Sequence, residues 1–321
     1  MFDIGQKVAV IDIGSNTTKA LIVRVEREKI IQEVASKSLP CRLIDSGASE
    51  IINFSKAQQD LVLSTLKELF AFCARYQVFK TVLVATEAFR KSTNSAKVRS
   101  EIECQIGQEI LILSGKEEAK YIFHGLTLDP LVASVSSMQA FDLGGGSLEV
   151  MHRNLDELSF AESLPLGALK ISGKFFTSID LPLEKAQVSS ARNMLNEAFK
   201  YAGLSTQKEA SLIGLGGAVF FLRKILNREA GISFDERCRL DFHKIQELFE
   251  RSASLTTEDR LKSFPDLPGN RADIFPVACL IIAELMKFLK QDTLIHSFFN
   301  LRFGVAACLV SKPELFNVSG Q

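Results

Sequence analysis

The sequence lacks several features that mark particular classes of protein. Its six cysteines are scattered without a Cys-x-x-Cys pair, and its four histidines form no recognisable metal-ligand spacing. We therefore expect structural, buried cysteines in a reducing cytosol, with no disulfide and no zinc site. Basic and acidic residues number 38 each, so the total charge implies no extended surface for nucleic acid. An anionic ligand would need a local cluster of cations.

Long apolar segments are also missing. The longest apolar stretch, 274–289, is interrupted by Pro276, Glu284 and Lys287 and is too short to cross a bilayer. No basic-then-apolar signal precedes the strand that we predict to begin by Val8. We expect 274–289 to lie in a buried helix, and the protein to be soluble and cytoplasmic with no membrane partner.

Two glycine-rich turns are the most informative feature that is present. One follows Asp12 in Ile-Asp-Ile-Gly-Ser-Asn, and the other follows Asp142 in Phe-Asp-Leu-Gly-Gly-Gly-Ser. Glycines in such turns let backbone amides approach a phosphate closely. An aspartate would repel phosphate, so it is explained better as a ligand, direct or through water, for a divalent cation. A single turn of this kind could be an ordinary polar hairpin, but two in matching contexts favour phosphate binding.

The context of the two turns is duplicated as well. Each is followed by two β-rich runs separated by a polar turn, 20–25 and 30–39 in the first half and 148–151 and 158–164 in the second. This repeated order indicates an internal duplication, with two similar α/β domains whose turns face a cleft. We predict a first domain of 1–125, completed by a C-terminal helix at 304–315, and a second domain of 126–303.

Charged residues follow other predicted strands. Arg90 and Lys91 follow the strand 81–85, and an arginine can pair bidentately with phosphate, although solvated surface charge is an equal alternative. Glu117 and Glu118 begin a helix after the strand 109–113, where a carboxylate commonly complements the helix dipole. The functional alternative is that one glutamate orients or deprotonates a water that attacks phosphorus. Glu149 would share a strand face with Ser147, which makes it a plausible second metal ligand.

Helical spacing and caps place the other elements. Ser55 to Gln58 is a capping-box pattern that begins a helix over 56–75, and further helices are predicted at 96–104, 183–202 and 218–226. From Phe242 onward the chain is predicted to be helical only, at 242–252, 257–263, 272–290 and 304–310.

These motifs together resemble the exopolyphosphatase/guanosine pentaphosphate phosphatase family. The resemblance covers nearly the whole chain and rests on seven segments in order: 10–17, 85–90, 114–119, 141–149, 163–168, 271–273 and 301–304. It implies a duplicated ribonuclease-H-like fold of the actin-like ATPase superfamily, with the active site in the cleft between domains. It also implies Mg²⁺-dependent hydrolysis of terminal phosphate from polyphosphate, or of the 5′ γ-phosphate of pppGpp.

Carried over by position, the resemblance gives Glu118 the role of catalytic base toward water. It implies metal-associated positions at Asp142 and Glu149. The phosphate-binding and substrate-binding positions, together with those predicted from the turns, are Asp12, Gly14, Ser15, Asn16, Thr17, Lys19, Arg90, Gly144, Gly145, Gly146 and Ser147. The chain is similar to the short, two-domain members of the family, and a homodimer is the default oligomer.

Some positions depart from the family pattern. Leu148, Leu215 and Ala218 stand where hydroxyl residues are usual, and Lys19 replaces an arginine or histidine. We interpret the site as intact for hydrolysis but altered in ligand preference. Two other functions remain open at this point: a sensor of polyphosphate or (p)ppGpp with slowed chemistry, and an ATP-driven kinase or chaperone that uses the glycine pair Gly216-Gly217 beside adenosine.

Overall fold

The computed structural model of the protein describes residues 2–26, 31–44, 53–154, 157–207 and 209–316. Contacts divide the chain into two units. The first is drawn from Met1–Ile44, Ser49–Ala133 and Phe299–Gln321, and the second consists chiefly of Ser134–Phe298. Relative to the predicted bounds, the contacts group residues 126–133 and 299–303 with the first unit.

The first unit is built on a five-stranded mixed sheet of order β3-β2-β1-β4-β5. Its strands are β1 (Lys7–Ile13), β2 (Thr17–Val25), β3 (Ile31–Pro40), β4 (Lys80–Ala85) and β5 (Ile110–Ile112). Its helices are α1 (Lys56–Ala74), α2 (Glu87–Lys91), α3 (Ser95–Ile106), α4 (Gly115–Leu126), α5 (Pro130–Ala133) and α13 (Leu301–Ser311), the last followed by a 3₁₀ turn at Pro313–Phe316.

The second unit is built on a six-stranded sheet of order β10-β11-β9-β6-β7-β8. Its strands are β6 (Ser137–Leu143), β7 (Leu148–Asn154), β8 (Glu157–Leu164), β9 (Ser211–Leu215), β10 (Arg239–Asp241) and β11 (Thr293–His296). Its helices are α6 (Ala168–Phe175), α7 (Lys185–Tyr201), α8 (Gly216–Glu229), α9 (Phe242–Ala253), α10 (Thr257–Ser263), α11 (Gly269–Ala272) and α12 (Phe275–Leu289).

The two sheets repeat one topology. In the first, β1, β2 and β3 pair antiparallel, and β4 and β5 continue the sheet parallel to β1. In the second, β6, β7 and β8 pair antiparallel, and β9 and β11 continue it parallel to β6. This confirms the predicted duplication of a ribonuclease-H-like α/β fold.

Burial explains why the sequence patterns differ between strands. The central strand β1 is buried at nearly every position, as a strand covered on both faces must be, whereas the edge strand β3 exposes alternate side chains. The capping box of α1 is present, with Ser55 accepting from the Gln58 amide. In the second unit α12 is buried almost all round, which accounts for its apolar run. Among the described residues no helix is long and apolar enough to span a membrane.

Three predictions about elements and burial were wrong. The chain after Phe242 is not only helical, because the short run Thr293–His296 is a strand paired with β9 and β10. The predicted helix over 272–290 begins at Phe275, since Ala272 ends α11 and Pro276 is tolerated in the first turn of α12. The cysteines are not all buried: Cys238 and Cys308 are half-buried, and Cys104 is exposed because it lies on the outer face of α3.

Candidate active site

The turn between β1 and β2 is a nest of buried, unsatisfied donors. The Gly14 amide donates to the Thr17 carbonyl at 3.2 Å, and a Cβ at Gly14 would lie 3.0 Å from that oxygen. Ser15 and Asn16 are buried, yet their backbone amides donate to no acceptor in the described part of the chain. Buried amides without acceptors are rare in proteins. An anion with several oxygens would satisfy them.

Asp12 lies at the end of β1 directly opposite Lys19 on β2. The residue is half-buried, and its Oδ1 is fully buried with no hydrogen-bond partner in the ranges that the structure describes. Burial raises the pKa of this carboxyl, while the charges of Lys19 and Arg302 oppose that rise. Arg302, on α13, also donates to the Ala20 carbonyl at 3.2 Å. Such an oxygen could bind a metal ion, directly or through a water molecule, and the metal ion could in turn bind phosphate.

Arg90 joins two carboxylates within the first unit. Its Nη1 donates to Glu118 Oε2 at 2.6 Å and to the Leu113 carbonyl at 2.8 Å. Its Nη2 and Nε donate to Glu87 Oε2 at 3.0 and 3.3 Å. The side chains of Arg90, Glu87 and Glu118 are 15%, 7% and 8% exposed, so these ion pairs are shielded from water. Arg90 therefore positions Glu118 in this structure, in addition to its predicted role toward phosphate.

The capping box of α4 separates the roles of the two adjacent glutamates. Ser114 accepts from the Glu117 amide, and Glu117 Oε2 accepts from the Ser114 amide at 2.8 Å. Glu117 is thereby used to begin the helix. Glu118 is one residue further round the helix, where its buried carboxylate reaches Arg90. The local sequence pattern alone does not decide which of the two glutamates would act on water.

Strand register places these groups along one sheet edge. Ile13, Ala85 and Ile112 are neighbours across β1, β4 and β5, so the segments that follow them leave the sheet side by side. The edge thus collects the turn 14–17, Arg90 and Glu118. Arg42 also reaches it, donating from Nε to Asn16 Oδ1 at 3.2 Å, whereas Lys91 is exposed.

The turn between β6 and β7 in the second unit has the same construction. The Gly144 amide donates to the Ser147 carbonyl at 3.0 Å. Gly145 and Gly146 are buried, and their amides donate to no acceptor among the residues described. The carbonyls of this turn accept amides from the start of α6, where Gly167 packs directly on the backbone of Gly145 and Gly146. That packing holds the turn in place through its carbonyl groups, and the amides of Gly145 and Gly146 stay available to bind a ligand.

Asp142 and Glu149 are a cross-strand pair on β6 and β7. Residues directly opposite in an antiparallel ladder project from the same face, about 5 Å apart. Glu149 is buried, and its Oε1 accepts from the Ser163 hydroxyl at 2.7 Å. Ser147 belongs to the turn, since β7 begins at Leu148, so the strand neighbour of Glu149 on its face is Asp142.

A two-carboxylate pair suits one class of metal better than others. No group of three or more His, Cys, Asp or Glu side chains that could hold a metal exists in the described ranges. Mg²⁺ keeps several waters and is commonly held by one or two carboxylates together with substrate phosphate. The pair Asp142 and Glu149 fits that ion, and it does not fit an all-protein cage.

The glycine pair at the start of α8 packs against the second unit's own charged residues. Gly216 has a φ of +92°, and a Cβ there would lie 2.6 Å from Asp142 Oδ1. A Cβ at Gly217 would lie 3.0 Å from Arg271 Nη2. Close approach of Asp142 and Arg271 thus explains both glycines without an adenosine. Leu148 and Leu215 are fully buried, which accounts for the apolar residues at those positions.

Sequence reasoning missed three charged groups at these sites. Glu87 stands three residues before Arg90, a spacing that predicts a helical ion pair, and this signal was available. Arg302 and Arg271 belong to segments noted in the sequence, but they were given no role. Their partners lie far away along the chain.

A profile of the Ppx/GppA phosphatase family matches residues 21–312. Exopolyphosphatase 1 of Mycobacterium tuberculosis is 29% identical over 191 residues, which cover 59% of this chain and 54% of that relative. The chain therefore spans about half the length of that relative in the match. Exopolyphosphatase 1 of Mycobacterium leprae is 25% identical over 293 residues, covering 89% of this chain and 84% of the relative.

Two solved structures share the fold. The crystal structure of an exopolyphosphatase from Cytophaga hutchinsonii has a TM-score of 0.84 at 21% identity and covers 95% of this chain and 98% of its own. The structure of the Aquifex aeolicus member of the Ppx/GppA family has a TM-score of 0.77 at 21% identity. The match covers 98% of this chain and 99% of that chain.

Proposed function

Because the chain belongs to the Ppx/GppA phosphatase family, we propose that it is a phosphoanhydride hydrolase that releases terminal phosphate from inorganic polyphosphate. The observation that carries this proposal is the first unit's sheet edge, where the buried Glu118 carboxylate is held by Arg90 on the edge that also bears the amide nest of the turn 14–17. The relatives named exopolyphosphatase support the choice of substrate.

Each part of the proposed reaction has a residue suited to it. The amides of Ser15 and Asn16, and those of Gly145 and Gly146, would bind phosphate oxygens. Glu118 would accept a proton from the attacking water as the new P–O bond forms. The bridging P–O bond breaks, and the shortened polyphosphate leaves with the electron pair. Hydrolysis of this kind depends mainly on positioning and charge neutralisation, which buried donors supply.

Mg²⁺ is the cofactor that we propose, with Asp142 and Glu149 as the residues that would hold it. When bound, it would supply positive charge that neutralises phosphate oxygens. Asp12, with its buried and unpartnered Oδ1, is the first unit's counterpart of Asp142 in position after its strand.

The adjacent glutamates provide a matched test of the general base. We expect Glu118→Gln to lower phosphate release from polyphosphate by about 10²- to 10⁴-fold, because the amide cannot accept the water proton. Glu117→Gln should retain activity, since Gln can still complete the capping box. Phosphate release would be measured with Mg²⁺ and with chelator. Equal turnover in Glu118→Gln and the parent protein would remove Glu118 as the base.

The same assay run with pppGpp tests the substrate class. Release from polyphosphate alone would support the proposed exopolyphosphatase. Release from pppGpp alone would replace polyphosphate with a guanosine nucleotide as substrate. Tight binding of either compound by calorimetry, without release over hours, would replace the enzyme with a sensor.

A further inference from the structure

The second unit contains a cavity of about 620 Å³ beside its edge strand β10. Its walls come from the end of α8, from β10 with the segment before it, and from one face of α9, where Lys244, Glu247 and Arg251 follow helical spacing. Cavities of this volume hold small organic molecules in many proteins. The cavity plays no part in the proposed hydrolysis.

The cavity lies away from the second unit's phosphate turn. Helix α8 begins at Gly216, which packs against Asp142, and only its last residues, from Leu226 onward, reach the cavity. At 1.5 Å per residue, these ends of the helix are roughly 15 Å apart. Thr293, at the start of β11, lines the cavity, whereas the turn follows the opposite, carboxyl ends of the parallel strands.

Two guanidinium groups in the cavity wall, those of Arg237 and Arg239, have no acidic partner among the described residues. The three acidic side chains of the wall are all engaged: Glu229 by Arg251 at 2.8 Å, Glu247 by Lys244 at 2.9 Å, and Asp241 by the first amides of α9. Arg237 and Arg239 pair with no carboxylate among the residues that the structure describes.

Arg237 is held in place by a buried residue. Asn227 is 1% exposed, and its amide group donates to the carbonyls of Ser233, Phe234 and Arg237. Its Oδ1 accepts from Arg237 Nε at 3.1 Å, and Arg237 Nη2 donates to the Leu226 carbonyl at 3.2 Å. These bonds orient the guanidinium before any ligand arrives, which reduces the entropy lost on binding.

We propose that this cavity binds a small organic phosphate, with its phosphate group on Arg237 and Arg239 and its apolar body on Leu226, Ala230 and Leu240. Two guanidinium groups match a phosphate monoester, which carries nearly two negative charges at neutral pH, better than a single carboxylate. The apolar wall and the three acidic side chains disfavour a chain-like polyanion at the same place.

Calorimetry with phenyl phosphate as the probe tests the proposal, with inorganic phosphate and benzoate titrated in parallel. We expect phenyl phosphate to bind more tightly than either. Arg239→Gln should weaken it by about tenfold, as expected for the loss of one charged hydrogen-bonding pair. Arg228→Gln is the matched control, because Arg228 is exposed on α8, whose end lines the cavity, but pairs with Asp266 outside the cavity wall.

A second variant tests the apolar part of the cavity. Ala230→Leu should fill the space and weaken phenyl phosphate binding while thermal unfolding shows an intact fold. Binding that is absent in the parent protein, unchanged in Arg239→Gln or Ala230→Leu, or equally weakened by Arg228→Gln would overturn the proposal. Phosphate release without probe should be unchanged in Arg239→Gln, so this test is independent of the proposed hydrolysis.

Discussion

At the scale of a single residue, Asp12 is a carboxyl group whose burial is unfavourable for folding. Its Oδ1 is buried without a hydrogen bond in the described structure, and burial raises its pKa against the charges of Lys19 and Arg302. A charged carboxylate in such a place destabilises the folded chain until a ligand satisfies it. An aspartate at this position is therefore unfavourable for stability, and the proposed binding of phosphate with its metal ion would account for it.

We predict that Asp12→Asn raises the free energy of unfolding at pH 7 by about 1 kcal/mol and lowers phosphate release. The folded-state pKa of Asp12 lies above its unfolded value, so the parent loses stability as pH rises through that folded pKa. The stability gained by Asp12→Asn should therefore become smaller as the pH falls below the folded-state pKa of Asp12. Denaturant unfolding in chelator at several pH values measures this, with Asp60→Asn, at an exposed pair with Lys56, as control. A less stable Asp12→Asn at pH 7 would contradict the account.

Glu87 acts on Glu118 through the guanidinium that they share. In Glu87→Gln, Arg90 loses its ion pair with Glu87, so the guanidinium that positions Glu118 is held less firmly. We expect kcat to fall roughly threefold, because Glu118 is then less well positioned to accept a proton from water. Glu101→Gln, at an exposed pair with Lys97, is the control. An unchanged kcat in Glu87→Gln would show that Glu87 does not influence Glu118.

At the scale of elements, one helix contact positions two charged groups. Helix α13 packs on α4 through glycines, with Gly304 against the Tyr121 carbonyl and Gly125 against the Asn300 carbonyl. Because α4 carries Glu118 and α13 carries Arg302, this close contact brings residues that are far apart in the chain to one sheet edge. Larger residues at the contact would separate the helices.

We predict that Gly304→Ala lowers the free energy of unfolding by about 2–3 kcal/mol, because its Cβ would overlap the backbone of Tyr121. Gly269→Ala should have little effect, since a Cβ there meets no atom within 4 Å. Denaturant midpoints measure both. Equal midpoints for the two variants would show that the helices adjust at no cost.

At the scale of the molecule, the described residues include no metal cage that would contribute to folding. The chain carries 38 basic and 38 acidic residues, and no cluster of three metal-binding side chains is present in the described ranges. A structural metal would contribute folding energy, whereas a metal held by two carboxylates and substrate would not. The cores of the two units are built mainly from apolar side chains.

We therefore expect chelation with EDTA to abolish phosphate release while the thermal unfolding midpoint moves by less than about 2 °C. Added Mg²⁺ should restore activity without refolding. A large fall in the unfolding midpoint on chelation would show that the metal has a structural role instead.

Much of the fold and of the site follows from local sequence, because turn chemistry and periodicity act over a few residues. The Asp-x-Gly turns, the capping box at Ser55 and the repeated order of strands predicted two like α/β domains. The short strand β11 was not predictable in this way. Four residues carry little periodicity, and their pairing with β9 decides their conformation.

The sequence by itself determined the duplicated fold, the two amide-rich turns and the types of residue at the site. Tertiary structure decided which of them meet. Register placed Asp142 opposite Glu149, the α13 contact brought Arg302 near Asp12, and a capping bond separated Glu117 from Glu118. The physical reason is that strand register and helix contact depend on segments distant in sequence, whose alignment is fixed only when their apolar faces pack.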